Sequence, residues 1–261
     1  HCPGYGSSAK YIATSMKEII RDNESYGVSK PTICIVEIMG RHAGWLTAAA
    51  AMSRDIDCSG PDLIYLPEVP FDIDAFIKKI KELAKNKKSV VVAVSEGLTT
   101  KDGKFVCELG NSNDHIDAFG QLAGTAAYLA SVVTKETGLK SRYIEFSSLQ
   151  RCAAHLASRA DSDEAYNVGF LAAKAAFEGK TGMMVTIQVD SREPYVESYD
   201  MFDIHDIANV ERKVPLNWIT NDGTYVGDEY LAYARPFIIG SVQPYTAGGL
   251  PIHLTMNKKK K

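Results

Sequence analysis

A chain of 261 residues with 45% hydrophobic and 23% charged residues has the profile of a packed globular protein of one large or two modest domains, which excludes disorder. Net charge is −3, and the dense basic run Lys258 to Lys261 stands alone at the C-terminal end; nucleic-acid binders spread basic residues over a face, so no nucleic-acid partner is expected. No apolar run approaches the ~20 residues of a membrane span, and the five cysteines, Cys2, Cys34, Cys58, Cys107 and Cys152, form no CxxC pair, so no membrane partner and a reduced, cytoplasmic setting are expected.

The chain opens on His1-Cys2-Pro3-Gly4-Tyr5-Gly6, without an initiator Met, a loop-like run from which upstream sequence is expected to be missing. Ser7 or Ser8 is expected to cap a helix whose Ile12, Met16, Ile19 and Ile20 share one face and which Gly27 and Pro31 end. Residues 32–38 are nearly all apolar and β-branched, as in a strand covered on both faces by helices. An alanine-rich helix is predicted over 43–54 and a short strand over 63–66. Asp72 reads as the cap of an amphipathic helix carrying Ile73, Phe76, Ile77, Ile80 and Leu83, which runs to about residue 86. Residues 89–95 read as another buried strand, 117–136 as a helix, 142–147 as a strand, 165–178 as a helix and 183–189 as a strand. Beyond Asp190 the period weakens into turn-formers and short apolar pieces.

Strands alternating with helices of this length predict an α/β fold, a parallel sheet in a three-layer α/β/α sandwich. Open parallel sheets bind ligands beyond the carboxyl ends of their strands. Three predicted strands end there in Met39-Gly40-Arg41, in Ser95-Glu96-Gly97 and in Ser148 with Gln150 and Arg151, which puts two guanidiniums and one carboxylate on a common rim. A guanidinium pairs bidentately with phosphate oxygens, and a carboxylate accepts hydrogen bonds from sugar hydroxyls. Gly40, lacking a Cβ, is expected to let a ligand approach the backbone. Arg142 is expected to add a phosphate contact from the other end of its strand, reaching across a subunit boundary. Spacing alone supports a sugar-phosphate or nucleotide-handling protein and goes no further. His42, Trp45 and Trp218 read as packing residues, and Asp203, His205 and Asp206 as a solvated turn.

The run Val36-Glu37-Ile38-Met39-Gly40-Arg41-His42-Ala43-Gly44-Trp45 resembles the Met-Gly-Arg signature of the phosphofructokinase family, in the form carried by pyrophosphate-dependent and related bacterial members. Val94-Ser95-Glu96-Gly97, Arg142, Leu149-Gln150-Arg151, Ala157-Ser158-Arg159 and Thr181-Gly182-Met183-Met184-Val185 resemble further family segments, in family order. The resemblance implies phosphoryl transfer to the 1-hydroxyl of fructose 6-phosphate. Met39, Gly40, Glu96, Arg142 and Arg151 would contact the sugar phosphate, and Arg41 would act catalytically nearest the transferring phosphoryl group. Ser148 stands where the family usually has His or Tyr, and Thr32 where many members have an Arg that reaches a neighbouring subunit. The donor is expected to be pyrophosphate with Mg²⁺. ATP as donor, or a sugar-phosphate-binding regulatory subunit without catalysis, remain open alternatives.

The family's Gly-Gly-Asp donor loop and its Thr-Ile-Asp-Asn-Asp segment, whose Asp takes the sugar proton, do not occur in the sequence. The resemblance therefore implies a phosphofructokinase-type sandwich incomplete at its N-terminus and inactive by itself, though a homo-oligomer when full-length. Residues 1–150 would form the fructose 6-phosphate-binding domain. Residues 151–190 would return to a missing donor domain and expose an apolar face. Residues 191–261 form a C-terminal segment with no assignment.

Overall fold

The computed structural model describes residues 1–26, 29–110, 124–253 and 255. The basic run at Lys258 to Lys261, Gly27 and His115 lie outside these residues. In chain order the elements are α1 (Tyr5–Tyr26), β1 (Thr32–Ile38), α2 (Trp45–Ala48), β2 (Leu63–Tyr65), α3 (Ile73–Asn86), β3 (Ser89–Ser95), α4 (Thr125–Thr137), β4 (Lys140–Glu145), α5 (Leu149–Cys152), α6 (Arg159–Phe177), β5 (Met183–Arg192) and β6 (Tyr195–Asp203). Shorter pieces follow, among them the helix Asp228–Ala234.

The four-stranded sheet runs β2-β3-β1-β4 with every pairing parallel. Its two faces are set by the two-residue period of the strands. Cys34, Val36, Ile38, Val91 and Ala93 face a core shared with α1 and the alanine run Ala48 to Ala51. Ile33, Ile35, Val90, Val92 and Val94 face a second core with Phe76, Ile77 and Ile80 of α3 and Leu129 and Val133 of α4. Helices on both faces explain why β1 is buried at every position. The three-layer parallel α/β architecture matches the sequence expectation.

Several element boundaries differ from it, each for a tertiary reason. The first helix begins at Tyr5, so Ser7 lies inside it and is not its N-cap. The acceptor at this end is Asp161 of α6, whose carboxylate takes the N–H groups of Gly4 at 2.6 Å and Ser7 at 3.1 Å and the Ser7 hydroxyl; a carboxylate suits the positive end of a helix dipole. The predicted helix over 43–54 is one α-turn, α2, followed by a 3₁₀ segment Ala49–Ser53. Ala48 to Ala51 are fully buried, and packing of these small side chains decides the winding in place of alanine's helix propensity.

Asp72 does cap α3, accepting the Ala75 N–H at 3.0 Å. The described part of the helix predicted over 117–136 is α4; its first residues, 117–123, lie outside the described ones. Gly138, left-handed at φ +68°, ends α4, and β4 then runs over Lys140–Glu145, two residues ahead of expectation. The helix predicted from residue 165 begins at Arg159. The strand predicted over 183–189 is part of β5, which pairs antiparallel with β6 in a separate hairpin, an element the weak pattern beyond Asp190 did not reveal. Tyr166, Phe170 and Phe177 of α6 are exposed, as are Met183, Met184 and Phe202 of the hairpin.

Candidate active site

Because β1 and β3 pair in parallel register up to Ile38 and Ser95, the segments after them emerge side by side at the carboxyl edge. They continue to hydrogen-bond: Glu96 N–H donates to the Ile38 carbonyl at 3.0 Å and Gly97 N–H to the Gly40 carbonyl at 3.2 Å. The Ser95 hydroxyl donates to the same Gly40 carbonyl. The loop after β4 joins them through Gln150, whose side chain is buried, accepts the Met39 N–H at 3.3 Å and donates to the Ser147 carbonyl at 2.9 Å. Met39, Gly40, Glu96 and Gln150 are thus held by direct cross-links between three loops, and Arg151 follows Gln150 in α5.

The φ of Gly40 is +153°, and a Cβ there would stand 2.8 Å from the Ala43 carbonyl oxygen and 2.9 Å from the Ser95 hydroxyl. The glycine expected to make room for a ligand is required first by the loop's own packing. Its N–H donates to Glu96 Oε1 at 3.3 Å. Glu96 is half-buried. Burial pushes its carboxyl above the usual range, and the Gly40 N–H, Arg41 and Arg151 each pull it back down. Arg41, Glu96 and Arg151 thus all stand at the carboxyl edge of the sheet, on the segments that follow β1, β3 and β4. Arg41 is exposed, its guanidinium 5.7 Å from the Phe105 ring centroid; His42 is exposed beside it.

Ser148 is exposed at the same rim and immediately precedes α5, and Ser147 before it has φ +43°, a left-handed turn that swings the chain out of the sheet. Arg142 lies elsewhere. It pairs in register with Cys34, four residues before the end of β1, and its guanidinium donates to Asp22 at 2.7 Å and lies 4.6 Å from the Tyr26 ring centroid. At roughly 3.3 Å per residue this sets it more than 10 Å down the strand, and in a single chain it does not join Arg41, Glu96 and Arg151.

The sequence reading missed the groups beneath the rim. Gln150 was visible only as a neighbour of Arg151. Glu37, the single acid in the apolar strand β1, carried a clearer signal. It is 5% exposed on the α4 side of the sheet and accepts the Ala126 N–H at 2.8 Å. Burial pushes it up to about 7, opposed by the Ala126 N–H and reinforced by Glu145 and Glu96. The adjacent Thr125 hydroxyl donates to the Glu96 carbonyl at 2.9 Å, so the start of α4 braces both acids. Among the described residues no group of three or more His, Cys, Asp or Glu side chains could hold a metal ion. His205 instead faces Asp203 at 2.7 Å, both exposed.

The family model for phosphofructokinase matches residues 1–176. The chain belongs to the phosphofructokinase family. It is 37% identical, over 98% of its own length, to the pyrophosphate–fructose 6-phosphate 1-phosphotransferase of Methylococcus capsulatus, covering 60% of that protein. To the corresponding Halomonas elongata protein it is 38% identical over 95% of its length, covering 59%. Among solved structures, the pyrophosphate-dependent phosphofructokinase of Nitrosospira multiformis is similar at a TM-score of 0.85 and 36% identity, over 97% of this chain and 59% of that one. The chain spans about three fifths of these phosphofructokinase relatives. No helix among the described residues is long and apolar enough to cross a membrane.

Proposed function

We propose that this chain supplies the sugar-phosphate-binding part of a cytoplasmic phosphofructokinase that transfers a phosphoryl group from pyrophosphate to the 1-hydroxyl of fructose 6-phosphate. The observation that carries the reading is geometric: Arg41, Glu96 and Arg151 stand on three loops that leave the same carboxyl edge of the sheet and are cross-linked there by hydrogen bonds. Pyrophosphate is favoured over ATP because relatives 37% and 38% identical over nearly the whole chain are named for it.

In this reading Arg151 pairs with the 6-phosphate, whose two charges its planar fork matches. Glu96 accepts from the sugar hydroxyls, and the Met39-Gly40 backbone lines the ring, with Ser148 reaching it through water. Arg41 faces the transferring phosphoryl group, where a fixed guanidinium stabilises charge on the equatorial oxygens. Arg142 contributes only if a second copy of the chain brings it to the rim, which is the role proposed for a homo-oligomer. Mg²⁺, when bound, would supply positive charge to offset that of the donor phosphates. The described residues provide no carboxylate cluster that fits it.

Titrating the chain with fructose 6-phosphate in a calorimeter tests the reading. Saturable binding that Arg151→Ala weakens by roughly tenfold or more is expected, and the absence of binding overturns it. In an enzyme that carries the donor site as well, Arg41→Ala is expected to lower kcat far more than it raises KM. A changed KM at unchanged kcat removes Arg41 from the catalytic role.

A further inference from the structure

Glu68 stands in the turn after β2, and neither its spacing nor the site chemistry marks it. One of its oxygens, Oε1, accepts two backbone N–H groups from distant segments, Gly44 at 2.8 Å and Val214 at 2.9 Å. The other, Oε2, is buried with no hydrogen-bond partner among the described residues. Gly44 presses directly on this carboxylate: a Cβ there would stand 2.8 Å from Oε2 and 2.9 Å from Leu66 Cδ2. Gly44 closes the short loop that carries Arg41 and begins α2. Next to it, Trp45 Nε1 donates to the Arg212 carbonyl at 2.8 Å. One direct bond, from Trp45, and the two-bond bridge through Glu68 therefore tie the Arg41 loop to residues 212–214, which lie outside the family match at 1–176.

A carboxylate oxygen left buried without a donor is costly, whereas its partner oxygen does double duty. The cost is tolerable where the gain is geometric: two N–H groups converging on one fixed side-chain oxygen lock the end of the loop more firmly than exchangeable water would. A guanidinium that must meet a phosphoryl group needs such support, because a misplacement of about 1 Å forfeits much of its effect.

We infer that Glu68 is a positioning residue that sets the Arg41 loop by clamping Gly44 to Val214, so that the C-terminal segment 212–214 becomes part of the sugar-phosphate site's support. The inference rests on the proposed sugar-phosphate reading for its ligand, and on the contacts above for the clamp.

The test compares the whole chain with its Glu68→Ala and Glu68→Gln variants by calorimetric titration with fructose 6-phosphate, amide hydrogen exchange at Gly44 and Val214, and thermal unfolding. Glu68→Ala is expected to bind roughly tenfold more weakly while still folded, as loss of supporting partners does at other sites, and to lose protection at Gly44 and Val214 together. Glu68→Gln, whose carbonyl oxygen can take both N–H groups, is expected within about twofold to threefold of the parent. If Glu68→Ala does not fold, Glu68→Asp, which withdraws the acceptor by one methylene, carries the same expectation. Parent-like affinity and protection in a folded Glu68→Ala, or a Glu68→Gln as weak as Glu68→Ala, overturns the inference. A lowered unfolding temperature with unchanged affinity reduces Glu68 to a structural role and likewise overturns it. Failure of the parent chain to bind fructose 6-phosphate rejects the sugar-phosphate reading instead, and the exchange arm still decides the clamp.

Discussion

Gly97 lies flush against the backbone of Arg41: a Cβ added at Gly97 would meet the Arg41 carbonyl oxygen at 1.9 Å and its carbonyl carbon at 2.5 Å. The obstacle is main chain on both sides and cannot rotate away. Gly97→Ala must therefore push apart the loops after β1 and β3, where Gly97 N–H meets the Gly40 carbonyl. Overpacking of this kind costs about 1–3 kcal/mol. The expected outcome is a lower denaturation midpoint together with weaker fructose 6-phosphate binding in calorimetry; a variant with parent-like values in both would show that the two loops are not held at this spacing.

Glu37 gives the fold a pH dependence with a definite sign. Its folded value is raised to about 7, mainly by burial, above an unfolded value near ~4.3. The native state then holds the proton more tightly than the unfolded state, so the associated stability is complete below the unfolded value and is lost as pH rises through about 7. The groups facing it are the N–H of Ala126 at the start of α4, Glu145 on β4, Glu96 after β3 and the Cys107 thiol. Glu37→Gln keeps an acceptor for Ala126 and removes the titration. Urea unfolding at pH 5.5 and pH 8 is expected to show the parent losing about 2 kcal/mol more than the variant over that interval. Equal losses in the two proteins would refute a buried, titrating Glu37.

Arg142 and Arg151 separate a single-chain site from a shared one. In one chain Arg142 is engaged by Asp22 and Tyr26 far from the rim, whereas Arg151 acts on Glu96. Arg142→Ala is expected to leave the affinity of the dilute, monomeric chain within about twofold, while Arg151→Ala lowers it roughly tenfold. If copies share the site, the Arg142→Ala defect emerges only as concentration drives association. Titrations run alongside sedimentation at several concentrations give both readings.

The outward face of α6 is apolar where Tyr166 and Phe170 stack at 6.4 Å and Phe177 is 94% exposed. Apolar surface of this kind binds apolar dyes and self-associates. Phe170→Ser with Phe177→Ser is expected to cut dye fluorescence and self-association while leaving the unfolding midpoint nearly unchanged, because neither ring contributes to either core. A large fall in the midpoint would mean that these rings pack internally.

The amino-acid sequence by itself determined the parallel α/β plan, because two- and 3.6-residue periods record which neighbours along the chain face the same way. It also determined the rim: Met39, Gly40, Arg41, Glu96 and Arg151 sit at strand ends, and their chemistry is legible one residue at a time. Glu37 was missed, although a lone acid in an apolar strand is a signal the sequence carries. Only the tertiary structure decided that Asp161 caps α1, that Gln150 and Glu68 tie the site loops together, that Arg142 turns to Asp22, and that β5 leaves the parallel series for a hairpin. Those are bonds between segments far apart along the chain, and they depend on proximity in space, which no local period encodes. Packing likewise overruled propensity at residues 45–53, where close contact among buried alanines outweighed their preference for a regular helix.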